Sequence, residues 1–94
     1  MSVYRITRFA STDMDKTSAA LENLRGDIES AGADFIDIVS YENGKGVILA
    51  KYPDQAAMDN AASIARNVFK KLIDEGLVDG DSIHPHAGVV VNSF

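Results

Sequence analysis

Asn43-Gly44 stands between two runs rich in β-branched and aromatic residues, Asp34 to Glu42 and Lys45 to Tyr52. No other feature restricts the folding of this chain so strongly. A two-residue type I′ turn needs positive φ at both central positions, which Asn and Gly tolerate and β-branched residues do not. The two runs are thereby committed to an antiparallel hairpin, and the rest of the chain has to be arranged around it. Val3 to Phe9 reads Val-Tyr-Arg-Ile-Thr-Arg-Phe and predicts a strand. Ile83 to Val91 predicts another, its start kept irregular or at a sheet edge by Pro85.

Two helical patterns fill the gaps. Met14, Ala20, Leu21, Leu24, Ile28 and Ala31 recur at helical spacing before the hairpin. Thr12 with Asp15 has the spacing of a capping box. Gly26 weakens that helix by about 1 kcal/mol relative to Ala without having to break it, and Gly32 is placed to end it. After the hairpin, Pro53-Asp54 opens a second helix. Its face is Ala57, Ala61, Ile64, Ala65, Val68 and Leu72, widened by Met58, Phe69 and Ile73. Gly76-Leu77 closes it, and Val78 to Asp81 reads as a turn. The order β-α-β-β-α-β predicts a ferredoxin-like α+β sandwich over residues 1-94 as a single domain. One antiparallel four-stranded sheet would carry two helices on one face.

Composition removes several functions. Nine Lys and Arg against 14 Asp and Glu give a net charge of −5, and the only adjacent basic pair is Lys70-Lys71. Phosphate backbones need clustered cations, so no nucleic-acid partner is expected. There is no cysteine, which excludes disulfides, thiolate metal sites and cysteine nucleophiles. No apolar run approaches the roughly 18 residues of a membrane span. The N-terminus shows no signal-peptide pattern, so no membrane association and a cytoplasmic location are expected. No phosphate loop, nucleophile elbow or dinucleotide fingerprint is present.

Alternation along the strands sorts the sheet faces. Tyr4, Ile6, Ile36, Ile38, Ile48, Ala50 and Tyr52 are assigned beneath the helices. The opposite set is Val3, Phe9, Phe35, Val39, Tyr41, Val47 and Leu49, interrupted by Arg5, Thr7, Asp37 and Lys51. A sheet face open to water should be mostly polar, and this one is not. A second copy of the chain is the expected cover, making a homodimer through the helix-free sheet face.

At this point the sequence resembles the dimeric α+β barrel superfamily, which includes antibiotic-biosynthesis-type monooxygenases, stress-responsive barrel proteins and muconolactone-isomerase-like enzymes. The hairpin Tyr41 to Lys45, the strand ending Lys51-Tyr52 and the helix opening Pro53-Asp54-Gln55-Ala56-Ala57-Met58 carry the likeness. The resemblance implies two sheets facing each other between subunits, with ligands held between the sheet and helices of each. It also has departures. Many monooxygenase-type members carry Trp near the end of the third strand, where this chain has Tyr52 and no Trp anywhere. The second helix has no His of the kind that holds iron in haem-degrading members.

The expected ligand is small and mainly apolar, lined by Tyr4, Ile6, Ile38, Ile48, Tyr52, Met58, Ile64, Val68 and Phe69. Ala56, Ala57, Ala61, Ala62 and Ala65 crowd the second helix and mean either close packing or room for a cavity. Catalytic candidates are Tyr52, Arg8 and His86. A guanidinium on Arg5 or Arg8 gives paired donors for a carboxylate or enolate, or an ion pair with Asp37. The tyrosines offer phenols, or simply pack with the hydroxyl at the rim. His84 and His86 share a parity, with Asp37 as a conceivable third ligand. Two histidines and one distant acid make no convincing site, so no metal and no cofactor are expected. The functional readings are a small-molecule-binding homodimer, a cofactor-independent monooxygenase or isomerase acting on an aromatic or polyketide-like substrate, and a dimeric scaffold with a filled interior.

Overall fold

A computed structural model describes residues 1–94. Strand β1 (Val3–Ala10) leads into helices α1 (Met14–Asn23) and α2 (Arg25–Glu29). Strands β2 (Phe35–Ser40) and β3 (Lys45–Tyr52) follow, then helix α3 (Gln55–Asp74), a 3₁₀ turn at Gly80–Ser82 and strand β4 (His84–Val89). The sheet order is β2-β3-β1-β4, and every neighbouring pair is antiparallel. This is the ferredoxin-like arrangement, in which β3 is inserted between β1 and β2.

The hairpin turn is the expected one. Asn43 and Gly44 have φ of 63° and 73°, and the Lys45 amide donates to the Glu42 carbonyl at 3.2 Å. The Gly44 carbonyl also accepts from the Ser11 amide at 2.7 Å, tying the turn to the end of β1. A Cβ on Gly44 would run into the Ser11 carbonyl oxygen. Gly44→Ala is therefore expected to cost about 1–2 kcal/mol from the left-handed conformation alone, plus the lost tie. A lowered urea midpoint with an unchanged m-value would report it; an unchanged midpoint would contradict this geometry.

Three local details differ from the sequence reading. The first helix is capped by Asp13, whose carboxylate accepts from the Lys16 amide at 3.1 Å. Thr12 instead donates its hydroxyl to the Gly76 carbonyl at 2.9 Å, bracing the end of α3. The same helix is interrupted at Leu24, where φ is −102° and ψ 12°, and resumes as α2 with Gly26 inside it. Strand β4 stops at Val89, two residues before Val91, and lies at the sheet edge where Pro85 is tolerated.

The larger correction concerns β1. Val3 pairs with Tyr52, Arg5 with Ala50, Thr7 with Ile48 and Phe9 with Gly46. Directly paired residues share a face, so Val3, Arg5, Thr7 and Phe9 lie beneath the helices, and Tyr4, Ile6 and Arg8 lie on the outer face. The alternation of β1 has apolar residues at both parities and cannot choose between them. Phe9 over Gly46 decides it. A Cβ on Gly46 would come within 2.7 Å of the Phe9 ring, so only glycine leaves space for the ring there.

The buried side chains form two clusters. Val3, Ala50, Tyr52, Met58 and Ala61 make one; Phe9, Leu21, Val68, Leu72 and Val78 make the other. Each is seeded by one apolar end of β1, while Arg5 and Thr7 occupy the middle of the strand. Only 13 of 94 residues are buried, a thin core for a chain of this length. Ile6, Phe35, Val39 and Tyr41 remain 37–43% exposed. These four, with Val47 and Leu49, form an apolar outer face crossed by Arg8, Asp37 and Lys51.

Candidate functional site

The gap between the two core clusters is a cavity of about 60 Å³, and 13 of its 15 lining residues are hydrophobic. Its floor is Ile36 and Ile38 of β2, Ile48, Ala50 and Tyr52 of β3, and Arg5 and Thr7 of β1. Its roof is Leu21, Ile28 and Ala31 on one side and Ala61, Ile64, Ala65, Val68 and Phe69 of α3 on the other. Small residues make the space. Ala50, Ala61 and Ala65 stand where larger side chains would join the clusters. The alanine crowding of α3 thus opens a cavity near the centre of the helix and permits close packing at Ala61, which is 1% exposed.

Arg5 and Thr7 are the two polar residues whose side chains face this space from β1. Thr7 is 3% exposed and Arg5 half-buried. The ion pairs of the molecule join Arg25 to Glu22 and Glu29, and Lys71 to Asp27; none engages Arg5. Asp37, the partner considered from sequence, lies on the other face of the sheet. Tyr52 flanks the same space from β3. Burial pushes its phenol above the ordinary value, and the Arg5 charge acts in the opposite direction. Tyr52 is therefore a neutral hydrogen-bond donor at neutral pH. Its titration, followed by ¹³Cζ NMR, is expected above the ordinary tyrosine value of about 10, and Arg5→Gln is expected to move it further up. A downward movement would separate Arg5 from Tyr52.

A broad groove between α3 and β4 lies beside the cavity and shares a wall with it. Arg5, Thr7, Ala65 and Phe69 line both spaces. Ala62, Arg66, Lys70 and Ile73 continue the α3 wall, and Ile83, Pro85 and Ala87 form the opposite one. The groove exists because β4 is an edge strand that α3 does not reach across; every residue of β4 is exposed.

The residues anticipated for ligand binding divide accordingly. Ile38, Ile48, Tyr52, Ile64, Val68 and Phe69 line the cavity. Met58 is buried in the Val3 cluster beside it. Tyr4 and Ile6 are displaced to the outer face by the β1 register, where Tyr4 meets Phe35 edge-on at 6.0 Å. Arg8 goes with them, so of the catalytic candidates only Tyr52 faces the cavity. His86 belongs to the β4 wall of the groove, but it pairs with Ile6, which turns its ring to the outer face. His84 pairs with Arg8 on that face. Asp37 is three strand spacings from His86, about 14 Å, too far to join it at a metal. Sequence reading missed Thr7, Arg66 and Lys70. A signal existed for the last two: Ala62, Arg66 and Lys70 recur every four residues and mark one flank of α3.

Neither a family model nor a curated protein matches the sequence. Solved structures do match. The cofactor-independent oxygenase SnoaB from Streptomyces nogalater superposes with a TM-score of 0.75 at 10% identity, covering 98% of this chain and 95% of that one. Rv0793 from Mycobacterium tuberculosis gives 0.68 at 19% identity, covering 99% and 98%. A dimeric ferredoxin-like protein from an uncultured marine organism gives 0.67 at 17%, covering 99% and 90%. The chain is a ferredoxin-like α+β sandwich. At these identities the likeness is one of fold, and function has to be argued from the cavity. No helix is long and apolar enough to cross a membrane.

Proposed function

We propose that the protein is a homodimer in which each subunit binds a small, mainly apolar molecule between its sheet and helices. The observation that carries this reading is the apolar cavity separating the two core clusters. An apolar space with few polar groups is the usual form of a small-molecule site. The dimer is supported by the apolar outer face, where Ile6, Phe35, Val39 and Tyr41 stay 37–43% exposed on one side of the sheet, and by a neighbour of the same fold described as dimeric.

Size limits what is bound. An apolar cavity of about 150 Å³ takes a benzene molecule, and this one measures about 60 Å³. It accepts one narrow apolar end of a ligand, with the remainder in the groove. 1-Hexanol titrated into ¹⁵N-labelled protein is expected to give saturable shifts at the amides of Ile48, Ala61 and Val68. Ala65→Phe, which fills the mouth from α3, is expected to weaken that binding at least about tenfold by exclusion while the remaining spectrum stays dispersed. Hexanol shifts confined to the outer face, or unaffected by Ala65→Phe, would instead favour the scaffold with a filled interior.

A second reading is a cofactor-independent oxygenase or isomerase. It is favoured by Arg5 and Tyr52 lining one cavity and by the stated activity of SnoaB. In that chemistry the acidic proton of the substrate would pass to water in the groove, Arg5 would stabilise the resulting enolate, Tyr52 would donate a hydrogen bond to its oxygen, and the carbanion would either reduce dioxygen and form a C–O bond to the peroxide or be reprotonated. The cavity size requires an aromatic substrate to lie in the groove with only its edge inside. Oxygen uptake with an enolisable aromatic ketone, lost in Arg5→Gln and lowered in Tyr52→Phe, is the expected result; no uptake above the buffer rate would reject it.

A further inference from the structure

We propose that the groove between α3 and β4 receives the anionic head of an amphiphilic carboxylate, whose apolar end enters the cavity and whose carboxylate is held at the mouth by Arg5, with Arg66 and Lys70 along the rim. This rests on the reading of the cavity as a ligand site and adds the chemical class of the ligand. Charge distribution carries it. The chain has 14 Asp and Glu against nine Lys and Arg. Even so, none of the acids lines the groove or the cavity, while Arg5, Arg66 and Lys70 do. None of these three cations takes part in the ion pairs of the molecule. A basic strip without acids, on a protein of net charge −5, is complementary to an anion and repels a cation.

The positions divide the work. Arg5 is half-buried and borders both spaces. Its guanidinium is therefore partly shielded from water, where a paired hydrogen bond to a carboxylate is stronger than on an open surface. Arg66 and Lys70 lie one helical turn apart on the exposed flank of α3. There they attract the ligand over a distance set by ionic strength and add less to its final hold. Only Arg5 stands close enough to the cavity to pair with a group attached to a short apolar chain inside it.

Hexanoate and 1-hexanol differ in the proposed head and share the chain. Both are titrated into ¹⁵N-labelled wild-type protein, Arg5→Gln and the double variant Arg66→Gln, Lys70→Gln. Hexanoate is expected to bind the wild type at least about tenfold more tightly than 1-hexanol, the usual scale of a hydrogen bond to a charged group. Arg5→Gln is expected to abolish that preference, so that hexanoate binds the variant no more tightly than 1-hexanol does. The double variant, confined to exposed helix positions, is expected to keep the fold and weaken hexanoate about threefold at low salt, with the difference vanishing at high salt. Equal affinity of the two probes for the wild type, or a hexanoate preference that survives in Arg5→Gln, would overturn the head-group assignment and leave the cavity reading standing. Loss of the preference in neither variant would do the same. No saturable shift at cavity amides with either probe would overturn both.

Discussion

Ile6→Lys is expected to give a folded monomer. Ile6 lies on the outer face between Leu49 and His86 in the ladder, 37% exposed in the single subunit. No acid adjoins it there: Asp37 lies beyond Leu49, and Arg8 is the neighbouring charge along the strand. A lysine at this point would be held without a partner against the facing sheet. Full burial of one isoleucine is worth about 1.5–3 kcal/mol, and a two-fold axis counts each change twice. Only the 37% of Ile6 that the subunit leaves exposed is available to the dimer, so the two copies account for about 1–2 kcal/mol and a roughly five- to thirtyfold rise in the dissociation constant, and the uncompensated burial of two ammonium groups adds the larger part. Sedimentation equilibrium at micromolar concentration measures it, with circular dichroism to check the fold. A variant as dimeric as the parent protein would remove this face from the interface. A variant that unfolds would place Ile6 in the core and reject the β1 register.

Three residues further along the same strand the expected result is the opposite. Phe9 is 3% exposed, stands edge-on to Phe69 at 6.4 Å and packs with Leu21, Val68, Leu72 and Val78. Phe9→Ala is expected to cost about 3–5 kcal/mol, because the lost transfer free energy is joined by a cavity that the surrounding cluster fills only in part. For a domain of this size that lowers Tm by about 15–30 °C. Chemical denaturation of Phe9→Ala and Ile6→Ala side by side is the check. At a protein concentration where the wild type is monomeric, Ile6→Ala should change the midpoint little. A reversal, with Ile6→Ala the more damaging, would mean that β1 presents its other face to the helices.

The candidate site was legible in its β3 and α3 parts and illegible in β1. Both parities of β3 carry apolar residues, but its two lysines, Lys45 and Lys51, fall on one of them and leave Gly46, Ile48, Ala50 and Tyr52 as the uncharged face, and the apolar stripe of α3 has one orientation that buries it. The pattern puts those residues on the cavity side, where they lie. In β1 each parity carries two apolar residues and at least one arginine, so alternation is uninformative. Alternation alone puts Arg5 on the outer face with Asp37, although it borders the cavity. The groove was illegible for a different reason: it is space left where α3 falls short of an edge strand, and no residue pattern records a missing neighbour.

What the sequence by itself determined is local. Asn43-Gly44 dictates the hairpin, the 3.6-residue and two-residue periods assign helix and strand, and their order leaves the ferredoxin-like sandwich as the economical solution. These follow from steric limits on each residue and from short-range spacing. The tertiary structure decided which side of β1 is buried, where the core divides, and which cations stand around the opening. Those depend on contacts between residues far apart in the chain, Phe9 with Gly46 and Arg5 with Ala50 among them. A strand offers two faces of similar composition, and only the shape of its neighbours, here a ring that fits over a glycine, makes one of them the inside.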